Sequence, residues 1–157
     1  AKPTNGDYYC IYQPSVEQIC IYESHKKLKK IKFHWFTHDT IEARQDENNK
    51  ILPISDAEFT ESLINCSGLI TGGGFETPSE ALFLGKKLLS VPIKKHYEQP
   101  CNSAALNQMG VKVLQDPDFS NFDRYISNWI EEKGELPLLE KVDTGTMVEY
   151  IVKQYYK

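Results

Sequence analysis

The stretch that most constrains the fold runs from Gly68 to Leu82. It joins the apolar run Gly68-Leu69-Ile70-Thr71, the glycines Gly72, Gly73 and Gly74, and then Phe75-Glu76-Thr77-Pro78-Ser79-Glu80-Ala81-Leu82. The apolar run reads as a buried strand. Consecutive glycines offer no side chain for packing, but they let the backbone turn sharply and approach another group with its N–H groups unshielded. Thr77 as cap, Pro78 at the first helical position and Glu80 three residues after Thr77 predict a helix start closed by a capping box. Strand, glycine loop and helix start together predict an anion site, because the first-turn N–H groups and the positive dipole end face whatever lies over the glycines. Phosphate is the commonest such guest. The same residues also fit a turn that binds nothing, with Glu80 serving only the backbone of Thr77. The loop lacks the Lys-Ser/Thr of a P-loop and the spaced glycines of the dinucleotide fingerprint.

Around this stretch, strand and helix signals alternate. Asp7 to Tyr12 is aromatic and β-branched and reads as a first strand, ended by Gln13-Pro14-Ser15. Ser15 with Gln18 predicts a capped helix through about His25, and Lys26, Lys27, Lys29 and Lys30 follow as a solvated, basic helix end. Ile31 to Thr37 reads as a second strand, with His38 and Asp39 as turn residues without an assigned role. Glu42 to Lys50 is polar, a loop or weak edge hairpin, and Ile51 to Ile54 is a short strand whose Pro53 marks an edge or a strand end. Ser55 and Glu58 form a further capping box before a helix with Phe59, Leu63 and Cys66 on its apolar stripe.

Beyond the glycines, Gly85 closes a short helix, Lys87 to Val91 is a strand, and 93–100 reads as a loop rich in functional groups, among them Lys94, Lys95 and His96. Asn102 to Met109 is helical with Gly110 as its C-terminal stop, and Val111 to Leu114 is the last strand. From 119 onward the pattern is helical: Phe122, Tyr125, Ile126, Trp129 and Ile130 share one face, 134–137 breaks it, and 142–156 forms a terminal helix. Parallel returns need crossovers, so the alternation predicts an α/β fold: a Rossmann-like parallel sheet with helices on both faces. The 157 residues amount to one domain, with an α/β core over about 7–118 and C-terminal helices over 119–157.

Charge and cysteine usage narrow the function. A formal net charge of −4 excludes a general nucleic-acid binder. Cys10, Cys20, Cys66 and Cys101 are widely spaced without a Cys-x-x-Cys, which predicts reduced cysteines in a cytoplasmic chain and neither disulfides nor zinc. No apolar run approaches membrane-spanning length, and no signal peptide is visible.

The pattern Gly-Gly-Gly-x-x-Thr-x-x-Glu-Ala-Leu-x-x-Gly-Lys from Gly72 to Lys86, a strand ending in Pro92, and Glu98-Gln99-x-x-Asn102 before a helix resembles the donor-binding signature of GT-B glycosyltransferases. It is similar to the C-terminal domain of the peptidoglycan N-acetylglucosaminyltransferase and of the UDP-glucosyl/glucuronosyltransferases. The resemblance implies one half of a GT-B fold that binds a nucleotide-sugar donor, UDP-sugar being the expected one. It assigns Glu80 to the ribose hydroxyls, Gly73, Gly74 and Thr77 to the diphosphate, and Glu98, Gln99 and Asn102 to the transferred sugar. Ile54 would lie near uracil, and Ser15 is a further phosphate contact. Gly72 and Phe75 stand where the plant-type signature has His and Trp, so the bacterial pattern is the nearer one.

The family implies a glycosyltransferase of the hexosyltransferase type with no cofactor and no metal. Its acceptor pocket and catalytic base belong to an N-terminal domain, so this chain is expected to be inactive without that domain or an acceptor subunit. Membrane contact would come only through the rest of the enzyme. A non-catalytic nucleotide- or phosphosugar-binding subunit, and a nucleotide-sugar epimerase-like domain, remain open.

Overall fold

The computed structural model describes residues 2–13, 18–93, 97–116, 118–133 and 143–155. A seven-stranded sheet runs in the order β3-β4-β2-β1-β5-β6-β7. Its strands are β1 (Tyr8–Tyr12), β2 (Lys32–Thr37), β3 (Arg44–Asp46), β4 (Asn49–Pro53), β5 (Gly68–Thr71), β6 (Lys87–Ser90) and β7 (Lys112–Val113). All pairings are parallel except that of β3 with β4, an antiparallel edge hairpin where the sequence suggested a loop or weak hairpin. Pro53 is the last residue of β4, which is an inner strand, so it marks a strand end and not an edge.

Six α-helices lie among the described residues: α1 (Gln18–Lys27), α2 (Asp56–Asn65), α3 (Glu76–Phe83), α4 (Glu98–Gln108), α5 (Phe122–Glu131) and α6 (Thr144–Tyr155). The period-two alternation of buried strands divides their side chains between two cores. Cys10, Phe36, Leu52, Leu69 and Leu88 point to one face, where Leu63 of α2, Ala81 and Leu82 of α3 and Leu106 of α4 meet them. Ile11, Phe33, Trp35, Ile51, Ile70 and Leu89 point to the other, against Phe122, Ile126 and Trp129 of α5. Of the apolar face predicted for α5, Tyr125 is the exposed member, at 38%, and α6 buries none of its residues. Among the described residues no helix is long and apolar enough to cross a membrane.

Helix ends follow the sequence signals in part. Ser55 caps α2 by accepting from the Glu58 N–H. Gly85 at φ +68° and Gly110 at φ +89° end α3 and α4 in the left-handed conformation that glycine adopts without strain. The capping box predicted at Thr77 and Glu80 is not formed. Helix α3 starts one residue before Thr77, Phe75 holds the cap position, and no side chain caps it. Helix α4 starts at Glu98 and not at Asn102, so Glu98 and Gln99 lie in its first turn and not in a loop. The Ser15–Gln18 box, Lys94, Lys95, His96, the break at 134–137, Val142 and Tyr156 involve residues outside those described. In the basic cluster, Lys26 pairs with Asp46 at 3.6 Å and Lys27 with Asp123 at 3.4 Å. Lys29 and Lys30 border an open concavity of about 640 Å³ with Lys32 and Lys50, at the amino end of the sheet.

Two consecutive lysines hold the C-terminal side of the sheet's helices in place. Lys86, only 1% exposed, donates to the Thr4 carbonyl and, at 2.8 Å, to the Cys66 carbonyl. It thereby ties the N-terminal segment to the α2–β5 turn, and burial holds its pKa below the usual lysine value. Lys87 donates to the Trp129 carbonyl and to those of Ile130 (3.1 Å) and Glu132 (2.7 Å), placing a cation on the negative end of α5. Replacing Lys86 by Met leaves both carbonyls without that donor. The expected loss in urea denaturation is about 1–3 kcal/mol.

His34 stacks on Tyr8 with ring centroids 3.7 Å apart, and its Nδ1 lies 3.0 Å from Ser62 Oγ. Burial, with the Lys50 charge adding to it and Asp7 opposing, pushes its pKa down to about 4. Its unfolded value is near 6.5, so between these pH values the unfolded chain binds the extra proton. The stability that neutral His34 contributes is therefore complete above about pH 6.5 and lost as the pH falls through about 4. Because the ring is half exposed, the loss is on the order of 1–2 kcal/mol. NMR titration should find the imidazole neutral down to about pH 4, and His34→Gln should flatten this part of the stability profile.

Candidate functional site

The carboxyl ends of β1 and β5 form the site's frame. These strands are adjacent at the middle of the sheet, and the chain winds outward from them in opposite directions, toward β2 and β4 on one side and β6 and β7 on the other. Crossover connections diverge at such a switch point and leave a crevice outside the strand ends. Here it has a volume of about 110 Å³, with Tyr12 and Gln13 following β1, Thr71 and Gly72 from β5, and Val91 and Ile93 after β6 on its walls. Gly74, Thr77 and Pro78 from the start of α3, and Gln99 from α4, complete it.

The three glycines do different things. None has positive φ, so none is required for a left-handed turn. A Cβ at Gly73 would lie 2.5 Å from Ser103 Oγ and 2.6 Å from the Gln99 carbonyl oxygen. Glycine is thus demanded there by packing against α4, contrary to the expectation that the triplet has no packing role. At Gly72 a Cβ would press on Gln99 Oε1 at 3.3 Å, whereas at Gly74 it would meet nothing within 4 Å. Gly74 therefore leaves backbone uncovered toward solvent and the crevice.

Two of the side chains assigned to a sugar, Gln99 and Asn102, bond to this loop. Gln99 Oε1 accepts from the N–H of Gly73 (3.1 Å) and from that of Ile93 (3.0 Å), bridging the loops after β5 and β6. Asn102 Nδ2 donates to the Gly73 carbonyl (3.2 Å) and to Glu98 Oε1 (3.3 Å). Ser90 Oγ reaches the Gly72 carbonyl at 3.4 Å and Ser103 Oγ at 3.0 Å, adding a buried tie from β6 to the loop and to α4. In this arrangement Gln99 and Asn102 are positioning groups, with the Gln99 side chain still on the crevice wall and Glu98 exposed at the helix start.

Of the other predicted residues, Thr77 reaches the crevice in the first turn of α3. With Pro78 lacking an N–H and no side-chain cap present, the N–H groups of Glu76 and Thr77 have no partner within the helix. Glu80 is exposed and sits apart from the crevice, on an apolar groove between α2 and α3 shared with Leu63, Phe83 and Met147. Ile54 follows β4, packed against the core below α2. The structure thus gathers Gly72, Gly74, Thr77 and Gln99 around one space and sets Glu80 and Ile54 to its α2 side. Ser15 is outside the described residues.

One crevice residue carries no sequence-based assignment beyond ending a strand. Gln13 is 2% exposed, and among the described residues neither its Nε2 nor its Oε1 has a hydrogen-bond partner. A buried polar group left unpaired costs about 1–3 kcal/mol. The available signal was a large amide directly after an apolar central strand, the position where ligand contacts concentrate in open α/β sheets.

Fold and crevice define an open, Rossmann-like α/β domain with its site at the switch point. The chain belongs to glycosyl transferase family 1, whose family model matches residues 1–129. Among solved structures it is similar to the spinosyn rhamnosyltransferase SpnG, at 17% identity and TM-score 0.57, over 84% of this chain and 39% of that one. It is also similar to the glycotransferase of kitacinnamycin (12% identity, TM-score 0.62, 85% and 37%) and to MurG of Acinetobacter baumannii (15% identity, TM-score 0.59, 81% and 42%). No curated protein matches the sequence. At these identities the structures speak for the fold, a GT-B glycosyltransferase domain. The chain spans about two fifths of the length of these proteins, from 37% to 42%.

Adjacent glycines give a direct test of the loop's division of labour. Gly73→Ala forces the loop or α4 to shift against backbone and should cost about 1–3 kcal/mol in urea denaturation. Gly74→Ala, with open space and no positive φ, should change stability by less than about 0.5 kcal/mol.

Proposed function

We propose that this chain is the donor-binding half of a metal-independent glycosyltransferase of the hexosyltransferase type, and that its ligand is a UDP-sugar. The observation that carries the reading is the uncapped start of α3 opening onto the switch-point crevice beside Gly74. A helix start whose N–H groups lack partners is an anion site by geometry and by dipole. In the proposed arrangement the diphosphate lies over Gly74 and Thr77, Glu80 accepts from the ribose hydroxyls on the α2 side, and the base lies toward Ile54. Ser15 is a further candidate phosphate contact. Glu98, whose carboxylate is exposed, and Gln99 border the space left for the transferred sugar.

Glycosyl transfer makes negative charge grow on the departing diphosphate as the sugar bond breaks. Fixed N–H groups aimed at that charge stabilise it without reorganising, which supplies the electrostatic part of catalysis in this half. The acceptor pocket and the catalytic base would come from a second domain or an acceptor subunit, so the isolated chain binds donor without turning it over. The free thiols of Cys10, Cys66 and Cys101 favour a reducing, cytoplasmic setting.

Calorimetry with UDP, UDP-GlcNAc and GDP tests this reading, with and without EDTA. The expected result is binding of both uridine ligands in preference to GDP, unchanged by EDTA and weakened about tenfold by Glu80→Ala. No binding to any of the three, or binding indifferent to Glu80→Ala, would overturn it.

A further inference from the structure

We infer that Gln13 is a specificity-determining residue of the crevice, reading hydroxyl groups of the transferred sugar with both ends of its side-chain amide. The inference rests on the donor-binding reading above and adds a residue that the glycine signature does not contain. Gln13 directly follows β1, the central strand, and its side chain is enclosed on the crevice wall with Nε2 and Oε1 both unpaired. The neighbouring Gln99 has already committed its Oε1 to the N–H groups of Gly73 and Ile93. Gln13 is therefore the crevice amide whose donor and acceptor are both unused.

The chemistry of the unpaired group selects its partner. A phosphate presents only acceptors, so it would satisfy Nε2 and leave Oε1 facing negative charge. A sugar hydroxyl donates and accepts, and a neighbouring pair of hydroxyls meets Oε1 and Nε2 together. Ribose also carries hydroxyls, but the residue assigned to it, Glu80, lies on the α2 side of α3 and does not line this crevice. The hexosyl group is the polyol left for the space between Gln13 and Gln99. A crevice of about 110 Å³ has room for a few water-sized groups, at about 30 Å³ each, so hydroxyls reaching it would pair an amide that the described residues leave unpaired.

Gln13→Met keeps the length of the side chain and removes both polar atoms. Calorimetry of wild type and variant with UDP, UDP-glucose, UDP-galactose and UDP-GlcNAc, alongside thermal unfolding, tests the assignment. The expected result is about a tenfold weaker dissociation constant for at least one UDP-sugar, less than about a twofold change for UDP, and an unfolding midpoint equal to or above that of wild type. The midpoint should hold because the substitution removes an unpaired buried amide. Equal losses for UDP and the UDP-sugars would overturn the inference in favour of a phosphate or nucleoside contact. No loss for any UDP-sugar would overturn it in favour of a water-filled pocket. Should Gln13→Met fail to fold, Gln13→Ala carries the same comparison. A wild type that binds UDP while Gln13 variants match it on every sugar leaves the donor reading intact and removes this one. A wild type that binds none of the four ligands removes the donor reading and this inference with it.

Discussion

The parallel pairing of β1 with β2 on one side and with β5 on the other is the constraint from which the rest of this molecule follows. A central strand bonded on both edges, with its crossovers leaving in opposite directions, cannot have its carboxyl end covered by either connection. The gap at Tyr12, Gln13, Thr71 and Gly72 is the result. Both faces of the same strand must be buried, which is why Cys10 and Ile11 belong to separate cores and why helices are needed above and below. The loops that approach the gap are then the only segments free to specialise.

The glycine loop shows how that freedom is used. Gly73 packs closely against α4, and its amide and carbonyl are both taken, by Gln99 and Asn102. This clamp leaves Gly74 and the start of α3 presented to the crevice without cover. A rigid backbone beside an exposed helix start is the arrangement that electrostatic preorganisation requires, since donors that must first be ordered stabilise charge less well. Gln99 and Asn102 thus hold in place the backbone that borders the crevice.

Much of the fold was legible because strand burial has a period of two and crossover helices follow it. Six of the seven strands overlap the apolar runs that read as strands in the sequence, and Gly85 and Gly110 mark helix ends as their sequence context indicates. The helix starts were less legible. Thr77 and Glu80 have capping-box spacing, yet α3 begins earlier, because Phe75 is already helical when the chain leaves the packed Gly73. Likewise Asn102 resembles a cap, but Gln99 gains two backbone donors only if α4 starts at Glu98. In both cases a local hydrogen-bonding option lost to a tertiary one.

The sequence by itself determined the α/β class, the order of its elements, the position of the glycine loop between strand and helix, and the family signature from Gly72 to Asn102. These are properties of spacing and local chemistry, which a linear pattern records. Only the tertiary structure decided that Gly73 serves packing while Gly74 stays open, and that Gln99 and Asn102 brace the loop. It also decided that Glu80 faces the α2 side and that Gln13 is enclosed with no partner. Each of these depends on which groups from distant parts of the chain arrive at the same place. That is settled by parallel register and helix docking across the sheet, and no local spacing encodes it.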